Sequence, residues 1–153
     1  MSGTERHFEL RSARASDQLT IWRLVLGAGL NPLHLHWQNF ILAVSSRGEL
    51  LGCGQIKPHK DGSRELASIY VVPEQRGNGL AQAIIERLLS DHPAPIWLTC
   101  RRELTGFYDR FGFDEIQAVD EMPVYFRRVR KLVDFFTRTS DGSPLAVMCW
   151  RGE

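Results

Sequence analysis

The stretch Val71-Val72-Pro73-Glu74-Gln75-Arg76-Gly77-Asn78-Gly79-Leu80-Ala81 decides how this chain is read. An apolar strand ends at Pro73, the backbone turns on two glycines, and a helix begins. Ala81, Ile84, Ile85, Leu88 and Leu89 give that helix an apolar stripe at helical spacing. The first amides of a helix have no intrahelical acceptors, and the helix dipole adds partial positive charge there. Glycines let a ligand approach the main chain closely. The combination is an anion cradle suited to a pyrophosphate, to which Arg76 can add charge-assisted hydrogen bonds. Taken alone, two glycines read more simply as a tight turn.

Two common cradles are excluded. A P-loop needs Gly-Lys-Ser/Thr, which is absent. A dinucleotide fingerprint needs a small residue where Gln82 stands and an acid after the next strand, where Cys100-Arg101 stand. The loop also follows the fourth strand of a meander, not the first strand of a βαβ repeat.

Outward from the loop, residues 8–14 alternate as a first strand. Ser16-Asp17 start a helix carrying Ile21, Leu24, Val25 and Ala28, which ends at Gly27, Gly29 and Asn31-Pro32. Strands follow at 40–46, 50–56 and 65–72, joined by turns at Arg47-Gly48 and 60–63. After the Gly-rich loop and its helix comes a short apolar strand, 96–100. A helix between two strands implies a right-handed crossover and a parallel pair. A second short helix spans 101–110 and a sixth strand 113–118. An amphipathic helix is expected over 123–138, with Phe126, Val129, Leu132, Val133 and Phe136 facing inward. The last strand is 145–150, after Asp141-Gly142.

The chain has 153 residues, 43% hydrophobic and 24% charged, with a formal charge of +1. That composition fits one globular domain and excludes a disordered chain, a collagen-like repeat or a coiled-coil rod. Near-zero net charge gives no general pull toward nucleic acid or acidic membranes. Cys53, Cys100 and Cys149 form no Cys-x-x-Cys. So few, isolated cysteines fit a reducing compartment and small buried hydrophobes. No signal-peptide stretch and no apolar run of membrane-spanning length occurs, so a soluble cytoplasmic protein is expected.

Arg76-x-x-Gly79-x-Ala81, placed after an apolar strand, resembles the acetyl-CoA pyrophosphate loop of the GNAT family of N-acetyltransferases. Phe107-Tyr108-Asp109-Arg110-Phe111-Gly112-Phe113 is similar to that family's Phe-Tyr-x-x-x-Gly-Phe element. The order of predicted elements matches as well, over nearly the whole chain. The resemblance implies an α/β fold with a mixed, mostly antiparallel central sheet flanked by helices and splayed between strands four and five. It implies a single N-acetyltransferase domain over residues 1–153, with the helix at 123–138 as an addition.

The resemblance also implies acetyl-CoA as cosubstrate and direct transfer of an acetyl group to an amine, with no metal. The pantetheine would hydrogen-bond the backbone of Ile69, Tyr70, Val71 and Val72. The diphosphate would rest on amides from Arg76, Gly77, Asn78, Gly79, Leu80 and Ala81, with Gln82 nearby. Family members often carry an Asn early in the second short helix, where Arg101 stands here. An alkyl ammonium with a pKa near ~10.4 must lose its proton before attack, so a base is useful. Glu65 lies where some members place that carboxylate. It reads equally as an exposed edge charge or as a salt bridge with Arg64 or Lys57. Tyr108 stands where the family places the acid that reprotonates the CoA thiolate; packing beside Phe107 and Phe111 is the plainer alternative.

Asn31, His34, His36 and Trp37 follow the first helix, in the segment that often lines the family's acceptor site. His59 is a further acceptor-site residue and an alternative base. His34-Leu-His36 would present two imidazoles on one face if extended, but no further metal ligand sits nearby. Arg127, Arg128, Arg130 and Lys131 read as a solvated helix face. The amine acceptor itself is not legible. The family often dimerises through the edges of its last strands, which brings a homodimer forward; neither membrane nor nucleic acid is expected as a partner. A catalytically silent acyl-CoA-binding sensor on the same fold is the competing reading.

Overall fold

The computed structural model describes residues 7–137 and 142–152. They form two compact units, one from residues up to 57 with 66–91, the other from 58–65 with residues from 92 onward. In chain order the strands are β1 (Glu9–Ser12), β2 (Phe40–Val44), β3 (Leu50–Pro58), β4 (Arg64–Val71), β5 (Ile96–Arg101), β6 (Phe113–Glu115) and β7 (Leu145–Trp150). The helices are α1 (Gln18–Gly27), α2 (Leu80–Asp91), α3 (Thr105–Asp109) and α4 (Val124–Thr137). The sheet order is β1-β2-β3-β4-β5-β7-β6. β4 and β5 run parallel, with Glu65 opposite Trp97, as the crossover reading requires. The expected α/β class with a mostly antiparallel sheet is therefore observed.

In the first unit, β2 is buried at all five positions. A strand covered on both faces needs a continuous apolar run, and Phe40-Ile41-Leu42-Ala43-Val44 supplies it. α1 turns Ile21 and Val25 inward, onto a cluster with Phe40, Leu42 and Cys53. The spacing of its apolar residues makes one face of that helix a core face. α2 buries Leu80, Ile84, Ile85, Leu88 and Leu89.

α2 lies close to β3 because β3 carries glycines beneath it. A Cβ added at Gly54 would stand 2.6 Å from Ile69 Cδ1 and 2.7 Å from Ile84 Cγ2. One added at Gly52 would stand 2.9 Å from the Tyr70 carbonyl oxygen. Any side chain there would push helix and strand apart, and the loop that opens α2 would move with it.

In the second unit, β7 lies between β5 and β6. Trp97 faces Cys149 and Phe113 faces Trp150. The sixth strand is shorter than its predicted span and stops at Glu115. The core here joins Trp97, Ile116, Met122, Phe126, Val147 and Cys149.

The inward stripe expected for α4 is corrected. Phe126 is its buried residue, whereas Leu132 is 59% and Phe136 76% exposed. Amphipathic spacing shows which residues share a face, not whether another element covers that face. The basic run is not a uniformly solvated face either. Arg127 Nη2 donates to the Met122 carbonyl at 3.1 Å, and Arg130 Nε pairs with Asp134 at 3.0 Å. Arg128 and Lys131 are exposed. The predicted end of the helix at Arg138, and Asp141, lie outside the described residues. Among the described residues, no helix is long and apolar enough to cross a membrane.

Gly54→Ala should destabilise the protein by about 1–3 kcal/mol, the usual cost of overpacking a tight core. A urea melt showing equal or greater stability would mean that the α2–β3 contact yields freely.

Candidate functional site

The first unit holds the glycine loop. Pro73–Gln75 make one 3-10 turn after β4, and Arg76 is extended. Gly77 and Gly79 take φ values of +85° and +81°. That left-handed conformation costs an L side chain roughly 1–2 kcal/mol per residue. A Cβ at either position would meet nothing within 4 Å. Backbone conformation, rather than crowding, therefore demands glycine, and the space outside the loop is open to a ligand.

The Ala83 amide closes the first helical turn on the Gly79 carbonyl at 3.0 Å. The amides ahead of it are those that a helix leaves without intrahelical acceptors. The first turn of α2 carries no acidic residue to compete with an anion. The arrangement fits a diphosphate.

The named side chains of the loop divide by role. Leu80 is 2% exposed, so its side chain is core and its amide is what it can offer. Arg76 Nε donates to the Val71 carbonyl at 3.0 Å, and its guanidinium lies 5.6 Å from the Tyr70 ring centroid. Arg76 therefore ties the loop to the end of β4, and its other N–H donors are what it can offer an anion. Asn78 Nδ2 donates to Gln75 Oε1 at 3.5 Å, and Gln82 Nε2 to Glu86 Oε1 at 3.0 Å. Of the strand residues, Val71 is buried, while Ile69, Tyr70 and Val72 are half-buried.

Ser68, inside β4, adopts φ +57°, an uncommon conformation for a serine in a strand. β3 holds it at two points. Gln55 Nε2 donates to its hydroxyl at 2.8 Å, and Cys53 Sγ to its carbonyl at 3.4 Å. Sequence reasoning passed over Ser68 and Gln55. The available signal was Gln55 itself, an amide in an otherwise apolar and glycine-rich strand.

The same unit carries the segment after α1. Asn31 Oδ1 accepts the Leu33 amide at 3.0 Å. His34 has φ +58°, so the segment turns and does not run extended. The turn still leaves the exposed His34 and His36 rings 6.4 Å apart. Trp37 packs against the core cluster of α1 and β2, and its amide donates to Gln18 Oε1 at 2.9 Å.

The second unit holds Tyr108, Arg101, Glu65 and His59. Tyr108, on α3, packs edge-on against Phe107 at 5.0 Å and Phe113 at 6.1 Å. Burial, with a smaller contribution from Cys100, pushes its phenol up to about 12. Arg101 is the exposed last residue of β5, and the helical turn begins at Arg102. Its placement at a helix start is thus corrected: the strand runs one residue further. Arg102 explains why, since its amide bonds the Pro144 carbonyl and its side chain bonds Ser143 and Glu115.

Glu65 is 6% exposed, which overturns the reading as an edge charge. Its Oε1 lies 2.9 Å from His59 Nε2, while Arg64 donates to the Pro93 carbonyl. The fold thus brings together two residues that lie on separate predicted elements. The His59 ring stacks on Tyr125 at 3.7 Å and 17°, and meets Phe126 edge-on at 5.8 Å. The Tyr125 amide donates to Asp61 Oδ2 at 2.9 Å. Burial pushes the Asp61 carboxyl upward, but hydrogen bonds from Ser63 and Tyr125 outweigh it and leave the group below its usual range. Burial, helped by Glu65, pushes the Tyr125 phenol up. The three cysteines are buried and free.

Comparison with known proteins adds to this geometry. The family model described as Acetyltransferase (GNAT) family matches residues 7–113. The fold is similar to that of N-acetylglutamate synthase from Neisseria gonorrhoeae complexed with coenzyme A and N-acetyl-glutamate. The TM-score is 0.70 at 19% identity, over 97% of this chain and 36% of that one. This chain therefore spans about a third of the synthase's length. It is also similar to Rv2747 from Mycobacterium tuberculosis in complex with CoA, with a TM-score of 0.67 at 25% identity over 95% of this chain and 99% of that one. Escherichia coli ElaA gives 0.67 at 17% identity, over 94% and 99%. Comparison with curated protein sequences gave no match.

The raised Tyr108 phenol, at about 12 against 10.0 for the ordinary group, makes stability pH-dependent. The folded state holds that proton more tightly than the unfolded chain, so the contribution is complete below pH ~10 and is lost as pH rises through about 12. Urea melts at pH 8 and pH 11 should show a smaller alkaline loss for Tyr108→Phe than for the wild type. Equal losses would place the phenol in water.

Proposed function

Because the chain belongs to the GNAT acetyltransferase family, we propose that it moves an acetyl group from acetyl-CoA directly onto a primary amine. The observation that carries the reading is the glycine loop at the start of α2. Its two left-handed glycines leave open space beside amides that a helix cannot use internally. The coenzyme A in similar solved structures supports the same cosubstrate.

In this proposal the diphosphate rests on the amides from Arg76 to Ala81, with Gln82 beside them and the exposed Arg101 as a further contact. The pantetheine follows the backbone of residues 69–72. Left-handed Ser68 precedes that run, so it breaks strand regularity where the thioester end would lie. Backbone amides there can polarise the thioester carbonyl. Transfer begins when the acceptor ammonium gives up a proton at the Glu65 site. The neutral amine attacks the thioester carbon, the C–N bond forms, and the C–S bond breaks. Tyr108 protonates the departing thiolate and is itself reprotonated by the proton that the new amide nitrogen sheds. A phenol at about 12 stays protonated at neutral pH, so the proton is always in place before transfer. Asn31, His34, His36, Trp37 and His59 are proposed to line the acceptor site.

Acetyl-CoA should raise the melting temperature, increasingly so above its dissociation constant. CoA release should then appear with at least one member of an amine panel of polyamine, aminoglycoside, amino acid and lysine peptide. Tyr108→Phe should keep the thermal shift and lose about 10²–10⁴-fold in kcat. A shift without CoA release from any amine would favour the silent sensor. No shift at all would end the proposal.

A further inference from the structure

Building on the transferase reading above, we propose that His59 is the group that takes the acceptor's proton. Glu65 is its positioning residue, and Tyr125 of α4 is its seat. Glu65 is buried in the sheet at the register position opposite Trp97. Its Oε1 is engaged by His59 Nε2 at 2.9 Å, with side-chain exposures of 10% for His59 and 8% for Glu65. A carboxylate that accepts from Nε2–H selects the tautomer whose other nitrogen, Nδ1, carries a lone pair. The ring cannot swing away, because Tyr125 covers its face at 3.7 Å and Phe126 meets it edge-on.

Tyr125 is held in turn from the other end of the hairpin turn, where Asp61 Oδ2 accepts its amide. Charged and titratable groups that meet His59 include Glu65 from β4, Asp61 from the turn and Tyr125 from α4. With Nε2 held by the Glu65 carboxylate, Nδ1 is the ring nitrogen left to accept a proton, and a neutral imidazole is a common general base.

The step balances. The acceptor ammonium transfers a proton to His59 Nδ1, giving an imidazolium whose Nε2–H remains on the Glu65 carboxylate. The amine then attacks the thioester as above, and His59 returns its proton to solvent. Glu65 never leaves its hydrogen bond. This arrangement also assigns the helix at 124–137 a task, since Tyr125 and Phe126 in its first turn hold the ring.

The test uses the full chain, acetyl-CoA and the fastest amine of the panel. His59→Ala should lose about 10²–10⁴-fold in kcat while keeping the acetyl-CoA thermal shift and its KM. Added imidazole should restore part of that rate. Glu65→Gln should lose less, and imidazole should not restore it. Tyr125→Ala should fall in kcat and not in KM. If His59→Ala retains wild-type kcat, or if Glu65→Gln loses more than His59→Ala, the proposal is overturned.

A second measurement needs no acceptor. Nitrogen-15 NMR of the imidazoles above their titration range should show His59 protonated at Nε2 and bare at Nδ1. The opposite tautomer would overturn the proposal even in an active enzyme. Absence of any acetyl-CoA thermal shift in the wild type would instead sink the transferase reading, while the tautomer would still report on the pair.

Discussion

Close seating of α2 on the glycines of β3 is the contact on which the glycine loop depends. Gly52 and Gly54 remove the side chains that would hold helix and strand apart, and Ile84 occupies the space above them. With the helix fixed, its first turn and the preceding loop have one position relative to the end of β4. Arg76 reinforces that position by bonding the Val71 carbonyl. The loop's conformation comes from Gly77 and Gly79, but its place comes from packing several residues away. A phosphate cradle needs both, because hydrogen bonds to an anion are directional and a displaced amide no longer points at it.

β4 is shaped twice over. At Ser68 the backbone leaves the extended region and is held from β3 by Gln55 and Cys53. Strain of this kind persists where surrounding contacts over-determine it, and it gathers at functional sites. Three residues earlier, Glu65 is buried against His59. A buried carboxylate needs hydrogen-bond partners to remain charged without a large penalty. The imidazole supplies one of them, and the aromatic residues of α4 keep the imidazole in place.

Much of the fold was readable from local pattern. The apolar run 40–44 announced a strand covered on both faces, and the stripe from Ile84 to Leu89 announced α2. The Gly-rich loop and Phe107-Tyr108 carried enough chemistry to identify the family, because turn conformation and helix-start amides are local properties. Reading failed where an outcome depended on what lies across from a residue. Leu132 and Phe136 belong to the apolar stripe that runs on from Phe126, yet they are 59% and 76% exposed. Arg101 looked like the start of a helix, but its neighbour Arg102 is bound to Pro144, a residue far along the chain.

The amino-acid sequence alone determined the order of the elements, the helix-opening glycine turn and the tyrosine after the fifth strand, since each follows from short-range sterics and periodicity. Tertiary structure decided the pairing of His59 with Glu65, the stacking of Tyr125, the grip of Gln55 on Ser68 and the insertion of β7 between β5 and β6. These are meetings of residues from separate segments. Their side chains are brought within hydrogen-bonding or van der Waals distance by the packing of the whole chain, and no local spacing encodes that distance.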